Sequence, residues 1–428
     1  MRTGVALSGV AALSAAAGAW LAISLAATPL RQVELSPEEA AVFSLEEAVS
    51  RSSLQVPELT RPVNILVLGT KVLTSDVNSA ASQELGYHAL VDSFEGQADT
   101  MLLVRFDPQD QELTALSIPR DTKVEIEDRG TSKINAANYI GGPALAAQTV
   151  SNLLGDPPID RYVRVNVQGV EKLIDALGGV SLYVPTDMKY QDDSQHLYIN
   201  LKQGYQHLDG EKAVQFLRFR HDGFGDIGRV QRQQLLMGAI KEQALKPSII
   251  VRLPKIVAII QSHIDTNLSV EEIIALVGFA AQQERSDVQM LMLPGDFNGN
   301  GSQGISYWLP NGDRIEALMA QYFDEGYSEL SLSDPSQIRL YIQDSTGDEA
   351  AVQAMTRSLQ QAGYTRIFAG NDWPEPLATT RIVAQQGDQG SAASVRAALG
   401  IGEVVVESTG ALTSDVTIQL GQDWRQQQ

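Results

Sequence analysis

From Asn64 onward, short apolar β-rich runs alternate with helical segments, and this alternation restricts the chain to an α/β sandwich more firmly than any single motif. Asn64-Ile65-Leu66-Val67-Leu68-Gly69 is a compact apolar run ended by glycine, as expected for a buried strand whose C-terminal end opens onto a loop. Thr100 to Phe106 and Glu112 to Ile118 read as a hairpin around the turn-forming Asp107-Pro108-Gln109-Asp110. Pro119 stops the second strand, so Arg120 and Asp121 are delivered at a strand end, where α/β sheets place their ligand sites. Pro143 to Leu154 and Val170 to Leu177 read as helices, the second closed by Gly178-Gly179 and followed by a strand over Val180 to Val184. Asp209 is the expected N-cap of a helix over Glu211 to Leu217, Leu253 to His263 forms another, and Ser269-Val270-Glu271-Glu272 is a capping box. Gly295 to Gly312, rich in Gly, Asn and Ser, reads as a surface loop and holds no phosphate loop of the G-x-x-x-x-G-K-[ST] type. A boundary is expected near Asp334-Pro335, with strands and helices restarting at Ile338 and a small α/β domain filling residues 336–428.

The front of the chain differs in kind. Gly4 to Leu30 carries no charge and follows Arg2, which suits a membrane-crossing helix with its N-terminus in the cytoplasm. We read residues 1–30 as a signal anchor; the small residues Ser24 to Ala27 would also suit a cleaved signal peptide. Both readings put residues 31–428 outside the cytoplasm. Residues 31–62, polar and acidic, are expected to form a stalk, with a short helix near Pro37 to Val49. Cysteine is absent, which excludes disulfides and thiolate chemistry, and the five histidines lack metal-site spacing. A net charge of −20 opposes nonspecific nucleic-acid binding.

Against that acidic background, Arg218, Arg220, Arg229 and Arg232 crowd one short segment, and Arg120 stands at its strand end. Guanidinium groups hold phosphate bidentately, so the set points to an anion site. Arg229 is expected to open the helix after the Gly223, Gly225, Gly228 loop, where a cation opposes the helix dipole unless an anion is also present. Arg232 shares its face and has two readings, a phosphate ligand or the ion-pair partner of a neighbouring carboxylate. Asp121 is expected to orient Arg120, Lys133 and Asn135 either to hold backbone geometry or to touch ligand, and Asp226 to cap the helix or to act as a base or ligand. His221 reads as a surface histidine.

The ordered series NILVLG (64–69), ADTMLLVRFDP (98–108), SIPRDT (117–122), KINAAN (133–138), the GGP-led helix (141–154), VNVQGVEKLIDALGGVSLYVP (165–185) and LDGEKAVQFLRFRHDGFGDIGRVQRQQ (208–234) resembles the LytR-CpsA-Psr family of membrane-anchored cell-envelope enzymes. Residues 338–423 resemble the small C-terminal domain of many members. The resemblance implies a central mixed β-sheet sandwiched by helices over residues 63–333. It also implies a phosphotransferase that moves a glycan phosphate from a polyprenyl-pyrophosphate carrier to a peptidoglycan hydroxyl. By matching motif positions, Arg120, Arg218, Arg220 and Arg229 would clamp the pyrophosphate, and Asp99 would hold magnesium. Phosphoryl transfer needs such charge compensation. Where members commonly carry a second magnesium-binding aspartate, this chain has Lys71, which neutralises phosphate but does not ligate metal; Asp76 is the nearest substitute. A polyprenyl-pyrophosphate hydrolase and a noncatalytic glycan-lipid scaffold are the rival readings.

Overall fold

The computed structural model describes residues 30–44, 46–50, 57–71, 94–127, 129–193, 197–219, 225–246, 248–284, 287–298, 306–323, 334–370, 373–407, 409–411 and 414–426, with backbone alone at 71, 197, 225–231, 250 and 425–426. The chain begins with α1 (Pro37–Ala40), β1 (Val63–Lys71), β2 (Gln97–Asp107) and β3 (Glu112–Ile118). A ribbon of β4 (Lys123–Ile126) and β5 (Gly130–Lys133) leads to α2 (Ala136–Leu153), β6 (Arg161–Asn166), α3 (Val167–Leu177) and β7 (Val180–Val184). Next come β8 (Met188–Asp192), β9 (Leu197–Leu201), β10 (Gly204–Leu208), α4 (Gly210–Arg218), α5 (Gly225–Ala244) and α6 (Ile249–His263). The first domain closes with β11 (Ile264–Thr266), α7 (Val270–Ala280), β12 (Val288–Met292), β13 (Gly295–Phe297), β14 (Trp308–Pro310) and α8 (Gly312–Tyr322). The second domain holds β15 (Arg339–Asp344), α9 (Glu349–Gln361), β16 (Arg366–Ala369), β17 (Arg381–Ala384), α10 (Gln389–Leu399), β18 (Glu403–Val405) and β19 (Val416–Leu420).

Six strands form the central sheet in the order β11-β6-β1-β2-β3-β12. The β1–β6 and β3–β12 pairs are parallel and the others antiparallel, so the sheet is mixed, as expected. Period-two alternation makes it apolar on both faces. Leu66, Leu68, Met101 and Leu103 pack with α2 on one side, while Val63 and Ile65 pack with α6 and α7 on the other. Burying each such leucine contributes about 1.5–3 kcal/mol. The β7–β10 and β8–β9 ribbons form a third apolar cluster with α4 and α5.

Several caps stand where the sequence puts them. Asp209 accepts from Lys212 N, and Ser269 with Glu272 forms the reciprocal capping box that starts α7. Inside α2 the backbone breaks at Gly141 and Gly142, the latter at φ 64°, and Pro143 restarts the helix.

Two expectations need correction. Residues expected as a stalk are packed on the domain: Phe43 and Ala48 are buried, Ser44 O accepts from Arg161, and Arg61 pairs with Asp160 at 2.8 Å. The Gly295 to Gly312 loop contains the β13–β14 ladder, and Trp308 within it is 0% exposed against Phe297, because an indole of that area is worth burying. Among the described residues no helix is long and apolar enough to cross a membrane, and residues 1–29, read as the anchor, lie outside them.

The second domain carries a five-stranded sheet, β16-β15-β19-β17-β18, with α9 and α10 on its apolar face. It docks on the edge strand β12: Met290 N donates to Val406 O at 3.1 Å and Met292 N to Gln385 O at 3.2 Å. Ion pairs reinforce the contact, Arg339 to Asp296 and Arg314 to Asp415, both at 2.7 Å. Burial pushes the Asp415 carboxyl up, but hydrogen bonds from Arg339 and the Arg314 charge outweigh it and hold the group below the usual carboxylate range.

Candidate functional site

The site begins with an irregularity in strand pairing. β1 and β2 stay in register from Val63 opposite Phe106 to Gly69 opposite Thr100, then skip one residue, so that Thr70 faces Ala98. Asp99 is the residue skipped. Such a bulge bends the strand and re-aims a side chain, here beside a close approach that a Cβ on Gly69, 3.0 Å from Thr100 Cβ, would crowd.

Arg120 meets the bulge from the end of β3. Its Nη1 donates to Asp99 Oδ1 at 2.6 Å, and its Nε lies 3.5 Å from Asp121 Oδ2. Lys133 Nζ donates to Asp121 Oδ1 at 2.8 Å, which extends the row to four alternating charges, Asp99, Arg120, Asp121 and Lys133. Backbone bonds fix the turn: Thr122 N and Oγ1 both donate to Pro119 O, and Asn135 N donates to Arg120 O at 3.2 Å. Trp308 N donates to Asp121 O at 2.9 Å, so the buried indole of the corrected loop supports the site. Asp121 therefore orients Arg120, the backbone of Asn135 ties down the turn, and its side chain donates to Gln97 Oε1 at 3.3 Å.

Helix α5 covers the cluster. Gln233 Nε2 reaches Asp99 O at 3.4 Å and Thr100 Oγ1 at 3.3 Å. The helix starts at Gly225, so Arg229 lies a full turn inside it rather than opening it, and the expected clash with the dipole is weakened. Arg232, expected at the anion site, is 3% exposed and donates to Phe219 O, with its guanidinium 5.9 Å from the Phe219 ring. There it braces the exit of α4 against α5. Arg218 occupies the last turn of α4, where a cation complements the dipole. Arg220, His221 and Asp76, and the side chains of Lys71, Asp226 and Arg229, lie outside the described residues.

Behind Asp99 and Arg120 a cavity of about 40 Å³ runs between β2, β3, β12 and α5, lined by Leu102, Met237, Met290, Met292 and Phe297. That volume holds a few waters. Methionine walls are adaptable, because the unbranched thioether refills irregular space at little penalty. Strand β12, which supplies two of these methionines, was not read from the sequence, although its apolar Val288–Met292 run between Asp287 and Pro294-Gly295 carried the signal.

Among the described residues no group of three or more His, Asp or Glu side chains forms a metal cage. Magnesium needs no such cage, since one carboxylate with phosphate and water oxygens completes its shell. Asp99, part-exposed at the cavity, fits that requirement.

Residues 34–324 match the LytR_cpsA_psr family, and residues 337–424 match a domain described as LytR cell envelope-related transcriptional attenuator. The polyisoprenyl-teichoic acid–peptidoglycan teichoic acid transferase TagV of Bacillus subtilis (strain 168) is 32% identical over 231 residues, 52% of this chain and 58% of that protein. The regulatory protein MsrR of Staphylococcus aureus (strain COL) is 34% identical over 203 residues, 47% of this chain and 60% of that protein. The chain thus spans less than two-thirds of either relative's length. Protein gbs0355 from Streptococcus agalactiae superposes with a TM-score of 0.50 at 23% identity, over 61% of this chain and 86% of that one, a likeness of fold alone. With the family match extending over residues 34–324, the chain belongs to the LytR-CpsA-Psr family.

Proposed function

We propose that this protein transfers a glycan phosphate from a polyprenyl-pyrophosphate carrier to a hydroxyl of peptidoglycan. The observation that carries the reading is the Asp99–Arg120 pair at the mouth of an adaptable, methionine-lined apolar cavity. A charged head beside an apolar tail is the chemistry of a polyprenyl pyrophosphate. Two further features support it: the family match, and the teichoic acid transferase name of the Bacillus relative.

In this reading the acceptor oxygen attacks the phosphorus that bears the sugar. The bond from that phosphorus to the bridging oxygen breaks, polyprenyl phosphate departs, and the hydroxyl proton passes to solvent. Arg120, with Arg218, Arg220 and Arg229, compensates charge on the nonbridging and leaving oxygens. Asp99 and Asp121 hold the Arg120 fork in place, and Gln233 fixes α5 over the bulge. Magnesium, held by Asp99, would supply further charge neutralisation. The lipid tail enters by displacing the methionines that fill the cavity.

We also place the protein at the outer face of the plasma membrane, held by the uncharged stretch from Gly4 to Leu30. The test is transfer of a labelled polyprenyl-pyrophosphate glycan to peptidoglycan. Arg120→Ala should lower the rate by about 10²–10³-fold, the loss typical of one transition-state donor. Normal rates would reject the clamp, and equal product without peptidoglycan would convert the reading to a hydrolase. Lys71 favours a scaffold as the second reading, which tight donor binding without turnover in any divalent metal would support.

A further inference from the structure

The segment from Leu30 to Val33 crosses the edge of the central sheet. Thr266 N of the edge strand β11 donates to Arg31 O at 3.1 Å, and Val33 N donates to Asp265 Oδ1 at 2.7 Å. Asp265 is 2% exposed and lies 2.6 Å from the Arg164 guanidinium, so Val33 is tied to a buried ion pair. Leu30 packs against the apolar cluster that holds Val257 of α6 and Ile273 and Leu276 of α7. The uncharged stretch from Gly4 to Leu30 therefore joins the domain on the side of the sheet that α6 and α7 cover, with its last residue already part of the packing.

The outer surface of these two helices differs from what the chain's net charge of −20 predicts. Helix α6 holds no Asp or Glu, and α7 holds two, both in its first turn, where Glu272 completes the capping box and accepts from Arg161. Past that turn α7 is uncharged. Val251 of α6 is 84% exposed, the highest value among the described large apolar side chains. Leu253, Ile274 and Val277 are half-buried around it or on the neighbouring helix. The exposed cations on this surface are Arg252 and Lys255. Arg252 lies over Gly178 at the end of α3, where a Cβ would collide with its guanidinium, which holds that charge in place. Lys255 makes no ion pair or hydrogen bond among the described residues.

Exposed aliphatic side chains rimmed by Lys and Arg are the pattern of a helix lying in a lipid interface, where the apolar groups enter the acyl boundary and the cations reach headgroups. The point of chain exit favours lipid over a protein partner, because Leu30 belongs to the same cluster and the uncharged stretch begins there.

We propose that the α6–α7 face lies against an anionic lipid surface, with Val251 at the acyl boundary and Arg252 and Lys255 on the headgroups. The surface rests on the membrane placement given above and deepens it. His263 at one end of α6 leads directly into β11, to which Arg31 is bonded, while Val251 stands near the other end, about 20 Å away at 1.5 Å per residue. Two separated contacts stop the domain from swivelling about its tether, and they hold the Asp99–Arg120 pair at a constant height above the lipid.

Because the chain has no cysteine, a single introduced one carries a label without competition. Val251→Cys, labelled with bimane, is compared with Phe368→Cys, a position 58% exposed in the second domain, in the full chain reconstituted into phosphatidylglycerol vesicles. Quenching by a nitroxide-bearing lipid should be several-fold stronger at 251 than at 368, and quenching by aqueous iodide correspondingly weaker. Ala258→Cys, exposed two turns further along α6, should repeat the result; lipid quenching at 251 alone would report insertion of the dye and overturn the surface. Lys255→Gln should lower the lipid-to-iodide ratio at 251 about fivefold, the worth of one basic residue at an anionic surface, and phosphatidylcholine vesicles should lower it further. Thermal melts control for folding, since every substituted position is exposed. Equal iodide access at 251 and 368 in a chain that co-floats with the vesicles would overturn the surface and leave the anchor standing, whereas a chain that does not float would overturn both. Shielding from iodide without lipid quenching would mean that protein covers the face, and would overturn the lipid assignment.

Discussion

The six-stranded sheet is apolar on both faces, whereas the five-stranded sheet is apolar toward α9 and α10 and amide-rich on its other face, where Gln343, Gln385, Thr417 and Gln419 are buried. The first arrangement fixes the backbone beneath the charges of Asp99 and Arg120, while the methionine side chains beside them repack. The second joins its neighbour through backbone hydrogen bonds and ion pairs, and polar interfaces of this kind are the ones that permit relative motion. A fixed site backbone and an adjustable joint are thus assigned to different sheets.

The largest expected effect tests the central sheet. Leu103 is 0% exposed in the main cluster, and Leu103→Ala should cost about 2–5 kcal/mol in denaturant unfolding, the range for a buried leucine that leaves a cavity. A loss under 1 kcal/mol would show that the central sheet relaxes readily and would erase the contrast.

An intermediate effect tests the joint. Asp415 receives hydrogen bonds from Arg314 and Arg339, so Asp415→Ala should cost about 1–3 kcal/mol by stranding two guanidinium groups. The pH dependence follows from the sign of its shift. The folded carboxyl titrates below the ordinary aspartate value of 3.8, so its contribution is fully present above that value and is lost as pH falls through the folded pKa. Acid unfolding of wild type should therefore be steeper below about pH 4 than that of Asp415→Asn. Parallel curves would mean the ion pairs carry none of the docking.

How much of this was legible in the sequence depended on whether a feature is local. Strands ended by Gly69 or Pro119 and helices capped by Asp209 or Ser269 announce themselves within a few residues, and the structure has them within two or three positions. Arg120 and Asp99 were legible as motif positions, but the bulge that turns Asp99 toward Arg120 was not, because it is an offset between two strands rather than a property of either. β6 escaped notice because Arg161 and Arg164 interrupt its apolar pattern; their partners Glu272 and Asp265 arrive from about a hundred residues downstream. The polar face of the second sheet was hidden for a similar reason. Glutamine in a strand reads as exposed until a segment from elsewhere in the chain covers it, here Gly410, Ala411 and Ser414 against Gln385 and Thr417.

The smallest effect bears on that face and carries the opposite sign. Gln385 is 0% exposed, and neither side-chain amide atom finds a hydrogen-bond partner among the described residues. An unsatisfied buried polar group costs about 1–3 kcal/mol, whereas replacing it by an apolar group of similar shape is nearly neutral or stabilising. Gln385→Leu should therefore leave stability unchanged or raise it by about 1 kcal/mol, read as a shift in the urea midpoint at constant slope. A destabilisation above 1 kcal/mol would instead show that the amide is bonded in the docked state, and that the second sheet is as tightly specified as the first.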